Sequence, residues 1–165
     1  MTKQLWAPWR MEYIRNNAST GCFMCEAFNQ RKDRENLIAR RGETCAVILN
    51  RYPYTNGHLM VAPYRHLPDL ESMSREERTE MLDLAAWCTS CLSRIMNPQG
   101  FNIGINLGEV AGAGLKDHVH LHVVPRWSGD TNFMPVFGET RVIPQALEEV
   151  FDLLQAQPAE PSDAG

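Results

Sequence analysis

Cationic charge is in short supply: 16 Lys and Arg stand against 20 Asp and Glu, a net charge of −4. That balance offers no basic face for a nucleic-acid backbone and argues against a polymeric nucleic acid as partner. Apolar runs are short as well. No stretch reaches the roughly 18 residues of a membrane-spanning helix, and Met1 to Trp6 lacks the apolar core of a secretion signal. A membrane partner is not expected, and a cytoplasmic location is the default. The five cysteines are an odd number, which argues against a disulfide framework in such a compartment. Neither an internal repeat nor a domain linker is visible. At 165 residues the chain suits one compact domain with a core of its own.

What is present falls into recognisable pieces. Residues 1–20 are rich in Trp, Pro and Arg without a clean period and read as an extended arm, with Trp6 and Trp9 packing across the domain or a partner subunit. Cys22-Phe23-Met24-Cys25 is a C-x-x-C turn after Gly21. The βαβ setting of a redox pair is missing around it, so it is either two core thiols or half of a metal site. Leu37–Arg41 and Cys45–Asn50 read as strands about a turn at Arg41-Gly42-Glu43, and His58–Pro63 as a strand returning after Asn56-Gly57. Ser74 with Glu77 forms a capping box. Met81, Leu84, Ala85, Cys88, Leu92 and Ile95 then recur at helical spacing, predicting a long helix to about Met96. Cys88 and Cys91 lie near that stripe, where packing is the ordinary reading and a four-cysteine site with Cys22 and Cys25 the alternative. Phe101–Leu107 alternates as a strand. Gly108–Gly114 is a small-residue loop whose glycines let backbone N–H groups approach a phosphate. Glu139–Ile143 reads as a short strand, and Pro144 opens a last helix with Leu147, Val150, Phe151 and Leu154 on one face. The arm, a domain over 21–156 and a tail over 157–165, expected to be disordered, complete the division.

Three of the five histidines, His118, His120 and His122, stand at alternate positions with Val119, Leu121 and Val123 between and after them. Period-two alternation predicts a strand with the three imidazoles on one face, successive ones roughly 7 Å apart. A row of imidazoles is costly to bury and has no packing rationale, so chemistry is the better reading. A neutral imidazole is a competent nucleophile near neutrality, and two such rings on one strand can also chelate a metal.

His118-x-His120-x-His122 followed by Val123-Val124-Pro125 resembles the histidine-triad family of nucleotide hydrolases and transferases, whose motif is H-φ-H-φ-H-φ-φ with φ apolar. Leu5-Trp6-Ala7-Pro8-Trp9-Arg10-Met11-Glu12-Tyr13-Ile14 and Pro125-Arg126-Trp127-Ser128-Gly129-Asp130-Thr131-Asn132-Phe133-Met134-Pro135 resemble a bacterial branch that includes diadenosine tetraphosphate phosphorylases. The likeness runs over residues 4 to 155. The element list itself gives an α+β fold, an antiparallel sheet of about five strands with one long helix packed across it and a C-terminal helix; the resemblance implies the same fold in a homodimer.

For the chemistry, the resemblance implies that His120 attacks an α-phosphorus of an adenine nucleotide and that His122 hydrogen-bonds the phosphate oxygens, with no catalytic divalent ion. Asn50 and His58 are implied near ribose, base and α-phosphate, and Asn106 near phosphate. The loop before the row departs from many relatives in lacking a Gln, Ser or Thr donor. Backbone N–H groups of Gly112, Ala113 and Gly114 then have to serve the phosphate. Zinc-bearing relatives imply a structural Zn²⁺ held by Cys22, Cys25, His66 and His118. Against these stand a hydrolase of dinucleoside polyphosphates or nucleoside phosphoramidates using water, a nucleotide-binding module with little turnover, and a metalloenzyme using all three histidines of the row as ligands.

Overall fold

The computed structural model describes residues 21–115, 117–130 and 143–158. In chain order these form α1 (Phe23–Asn29), α2 (Asp33–Asn36), β1 (Ile38–Arg41), β2 (Cys45–Leu49), β3 (Leu59–Pro63), α3 (Arg75–Met96), β4 (Gly100–Ile105), β5 (Leu121–Arg126) and α4 (Leu147–Gln155). The five strands make one antiparallel sheet in the order β1-β2-β3-β5-β4. The expected α+β architecture, with a long helix and a C-terminal helix, is therefore present.

Every residue of β2 and β3 is buried, because both faces of the sheet are covered there. Val47, Leu49, Leu59, Val61, Leu121 and Val123 join the larger core with Met81, Leu84, Cys88 and Leu92 of α3 and Val150, Phe151 and Leu154 of α4. Ala46, Ile48, Met60 and Ala62 form a smaller core with Met24, Ala27 and Phe28 of α1. Burying one such side chain contributes about 1.5–3 kcal/mol, so the larger core dominates stability.

α3 begins where the capping box predicts. Ser74 accepts from the Glu77 N–H, and the Glu77 carboxylate accepts from the Ser74 N–H. Glu77 is buried, and Arg65 donates to it at 2.6 and 2.7 Å, drawing its carboxyl below the usual range. Glu80, one turn on, accepts from the N–H groups of Glu43, Thr44 and Cys45 and pins the β1–β2 turn to the helix. The helix ends at Asn97, in left-handed conformation before Pro98. Gly57, also left-handed, turns the chain into β3, and a Cβ there would meet the Met96 sulfur at 2.7 Å.

Several boundaries differ from the sequence reading. Cys22 is not in a simple turn; it is the N-cap of α1, which was not anticipated. The last helix starts at Leu147 with Ala146 as its N-cap rather than at Pro144. β5 starts at Leu121, inside the histidine row, because the Val119 N–H donates to the Leu67 carbonyl at 2.6 Å and the ladder cannot run further back. Cys88 and Cys91 are fully buried packing residues. The arm with Trp6 and Trp9, and the strand expected at Glu139–Ile143 apart from Ile143 itself, lie outside the described residues. Among those described, no helix is long and apolar enough to cross a membrane.

Candidate functional site

The histidine row runs into the start of β5, an inner strand between β3 and β4, and each ring is programmed by a different neighbour. His118 is fully buried, and its Nε2–H donates to the Pro63 carbonyl at the end of β3, 2.8 Å away. A carbonyl can only accept, so the proton is on Nε2 and Nδ1 keeps its lone pair. That Nδ1 lies 3.2 Å from Cys22 Sγ and 3.5 Å from Cys25 Sγ, while His66 Nδ1 lies 3.4 Å from Cys25 Sγ. The four candidate ligand atoms all fall within 4.8 Å of one another.

A tetrahedral Zn²⁺ with two thiolates and two imidazoles has ligand-to-ligand separations of roughly 3.3–3.8 Å, from its bond lengths. The donor set and its spacing fit that group. Burial, followed by the neighbouring Cys22, pushes the Cys25 thiol up to about 11, and a bound cation is what converts such a thiol into a thiolate ligand. α1 brings both cysteines on one turn, and the Leu67 carbonyl contact to Val119 holds the His66 loop against the row. The four-cysteine alternative is not formed, since Cys88 and Cys91 belong to the core beneath α3.

His120 is 6 % exposed. Its Nδ1–H donates to the His118 carbonyl at 2.8 Å, which puts the proton on Nδ1 and leaves the Nε2 lone pair available. Burial, opposed by that carbonyl bond, holds the ring below the usual imidazole range and hence neutral at pH 7. A neutral imidazole with an uncommitted Nε2 lone pair is a nucleophile.

His122 is set from the other side. The Tyr54 N–H donates to His58 Nδ1 at 3.1 Å, and Asn50 Nδ2 lies 3.3 Å from the same atom. An amide N–H can only donate, so His58 carries its proton on Nε2 and gives it to His122 Nδ1 at 2.9 Å. The proton of neutral His122 is consequently on Nε2. The His120 and His122 rings are 4.8 Å apart at 75°. With His118 aimed at the cysteines and His122 Nδ1 bonded to His58, the row does not converge on one metal ion.

The remaining predicted residues have mixed placements. Asn50 Oδ1 accepts from the Tyr52 N–H, so this side chain is occupied with its own turn and with His58. Asn106 is half-buried just past Ile105, whose ladder partner is Leu121, and so comes level with His120. In the glycine loop, the Gly112 N–H donates to the Glu109 carbonyl and the Ala113 N–H to the Gly108 carbonyl. Gly114 follows, exposed. Sequence reading missed the Pro63 carbonyl and the Tyr54 N–H, which leave no residue-type signal because they are backbone groups.

The fold and site are those of an antiparallel α+β domain with a buried imidazole row and a Cys₂His₂ cluster at its end. The HIT domain family model matches residues 31–129, and the chain belongs to that family. An AP-4-A phosphorylase of Mycobacterium tuberculosis (strain H37Rv) is 37% identical over 163 residues, covering 94% of this chain and 84% of the relative. A bis(5'-nucleosyl)-tetraphosphatase [asymmetrical] of Schizosaccharomyces pombe is 28% identical over 66% of this chain and 56% of its own length. Among solved structures, a Zn-bound histidine triad family protein from Mycobacterium smegmatis superposes with a TM-score of 0.66 at 28% identity, over 84% of this chain and 94% of that one.

Proposed function

We propose that the chain is a nucleotidyltransferase that cleaves diadenosine tetraphosphate with phosphate into ATP and ADP. The observation that carries this is the pairing of an Nε2 lone pair on His120 with a neighbouring His122 whose proton is on Nε2. His120 Nε2 attacks the α-phosphorus, the P–O bond to the rest of the polyphosphate breaks, and ATP departs with the bonding pair. AMP is then held on His120 by a phosphorus–nitrogen bond. Inorganic phosphate attacks the same phosphorus, the P–N bond breaks, and ADP leaves with His120 restored. His122 donates from Nε2 to the α-phosphate oxygens throughout, fixed in place by its bond to His58 at Nδ1. Of the expected nucleotide contacts, Asn106 and the Gly114 backbone are proposed to touch the nucleotide directly; His58, 1 % exposed with both nitrogens bonded, acts on it through His122, and Asn50 through His58, while the Gly112 and Ala113 N–H groups would have to leave their loop partners to serve a phosphate.

The 37% identity to the phosphorylase over most of both chains supports the phosphorolytic version. One observation favours water instead. The Gly112 and Ala113 N–H groups donate within their own loop, which leaves less of it for a phosphate pocket. Incubation with diadenosine tetraphosphate separates the two. ADP formed only when phosphate is added supports phosphorolysis; AMP formed regardless supports hydrolysis. Labelled nucleotide trapped by denaturing the protein in alkali, where a phosphorus–nitrogen bond survives, should map to His120, and label on any other residue refutes the covalent scheme.

Cys22, Cys25, His66 and His118 are the proposed ligands of a structural Zn²⁺, which would cross-link α1 to the row and take part in no chemical step. A homodimer belongs to the same reading, supported by β4, an edge strand with Ile103 half-exposed. A reducing, cytoplasmic setting suits five cysteines that are all unbridged.

A further inference from the structure

The donor at His122 depends on His58, and His58 is held by more than its in-plane hydrogen bonds. Tyr54 lies against both rings: its centroid is 4.6 Å from that of His58 at 35°, and 5.8 Å from that of His122 at 33°. The two imidazoles themselves are 5.1 Å apart at 49°. Tyr54 is 41 % exposed, whereas His58 is 1 % and His122 9 % exposed, so the phenol ring forms the solvent-side cover over the bond between them.

The local sequence delivers that ring. Asn50 Oδ1 accepts from the Tyr52 N–H and tightens the chain, Pro53 restricts the backbone, and Thr55 Oγ1 donates to the Pro125 carbonyl at 3.0 Å. The turn is thereby anchored on both sides of Tyr54. This one residue then makes two separate contacts with His58: its N–H with Nδ1, and its ring, tilted by 35°, with the imidazole ring. Nothing in a core requires an aromatic ring this exposed. Stacked aromatic pairs contribute beyond their burial, and a covered hydrogen bond between neutral groups is stronger than one open to water.

We propose that Tyr54 is a positioning residue for the transfer reaction. Its ring clamps the His58–His122 pair from the open side and keeps the His122 Nε2–H aimed at the phosphate oxygens. The proposal rests on the nucleotidyl-transfer reading, and a backbone-sparing substitution isolates it: Tyr54→Ala removes the ring and keeps the N–H. Tyr54→Phe keeps both.

The test measures kcat and KM with diadenosine tetraphosphate and phosphate, alongside long-range ¹H–¹⁵N spectra of the histidine side chains. Tyr54→Ala should lower kcat about tenfold while KM moves less than about threefold, and Tyr54→Phe should restore kcat to within about twofold of the unsubstituted chain. In the spectra, the single protonated Nε2 of His58 and His122 should give way to exchange-averaged signals in Tyr54→Ala only. A rise in KM alone would make Tyr54 a ligand contact and overturn the proposal, as would unchanged His58 and His122 signals. If the unsubstituted chain does not turn over the substrate, the transfer reading fails. The spectra still decide whether the ring fixes the two imidazoles.

Discussion

His118 and His122 close the two ends of one five-residue motif, yet they are programmed in opposite senses. His118 meets an acceptor at Nε2, the Pro63 carbonyl, and so offers a lone pair at Nδ1 to the cysteines. His122 meets a donor at Nδ1, the His58 Nε2–H, and so offers a proton at Nε2. The surroundings differ to match: two thiols and a second histidine at one end, an aromatic ring and an amide side chain at the other. Identical residue types at identical spacing thus become a metal-competent ligand and a hydrogen-bond donor. What a histidine does is decided by whichever group reaches its other nitrogen.

Removing the residue between the two ends breaks both roles from the reaction at once. His120→Ala should lower kcat/KM on the order of 10³-fold or more while circular dichroism and melting temperature stay close to the unsubstituted chain. Turnover within tenfold of the starting value would sink the nucleophile assignment. Next in size is the donor end. His58→Ala leaves His122 Nδ1 without its donor, and kcat should fall roughly 10–100-fold, with zinc content measured by mass spectrometry unchanged. The ligand end should respond the other way round. Cys22→Ser should abolish zinc binding, lower the melting temperature and reduce the unfolding free energy by the roughly 3–4 kcal/mol that a ligand at about 100–1,000 times its Kd contributes. A variant that keeps one equivalent of zinc would remove Cys22 from the ligand set.

The smallest effect concerns the loop that carries His66. Arg65, its neighbour, is paired with buried Glu77, whose carboxyl it holds below the usual range. A depressed carboxyl adds stability that is present above the unfolded value, near 4.3, and is lost as pH falls through the folded one. Glu77→Gln should therefore cost about 1 kcal/mol at pH 7 and flatten the loss of stability seen between neutral pH and acid. Urea midpoints measured from pH 7 down to 3.5 check this, and equal slopes for the two proteins would refute it.

Turn residues were enough to find β1, β2 and β3, which are bounded by Arg41-Gly42-Glu43 and Asn56-Gly57, and periodicity found β4, the histidine row and α3, the last with an explicit cap at Ser74. The list of elements then gave a sheet of about five strands. α1 escaped because seven residues hold too few turns for a period, and its N-cap Cys22 makes no side-chain capping bond. Alternation also carried the row's strand too far forward, since Val119 looks like a strand residue while its N–H is spent on Leu67. Of the site, the Cys22-Cys25-His66-His118 cluster was reached through family likeness, and the structure gathers those four side chains from three separate elements. Tyr54 could not have been found: nothing in Arg51-Tyr52-Pro53-Tyr54 says which ring lies over a histidine 68 positions further on.

Three of the contacts that assign protons in the row belong to the main chain: the carbonyls of Pro63 and His118 and the N–H of Tyr54. Side-chain scanning passes over such groups, because every amino acid but proline supplies them all. Loop length is then under functional constraint in its own right. An inserted residue between positions 50 and 58 would re-tune the far histidine while leaving every polar side chain of the site intact.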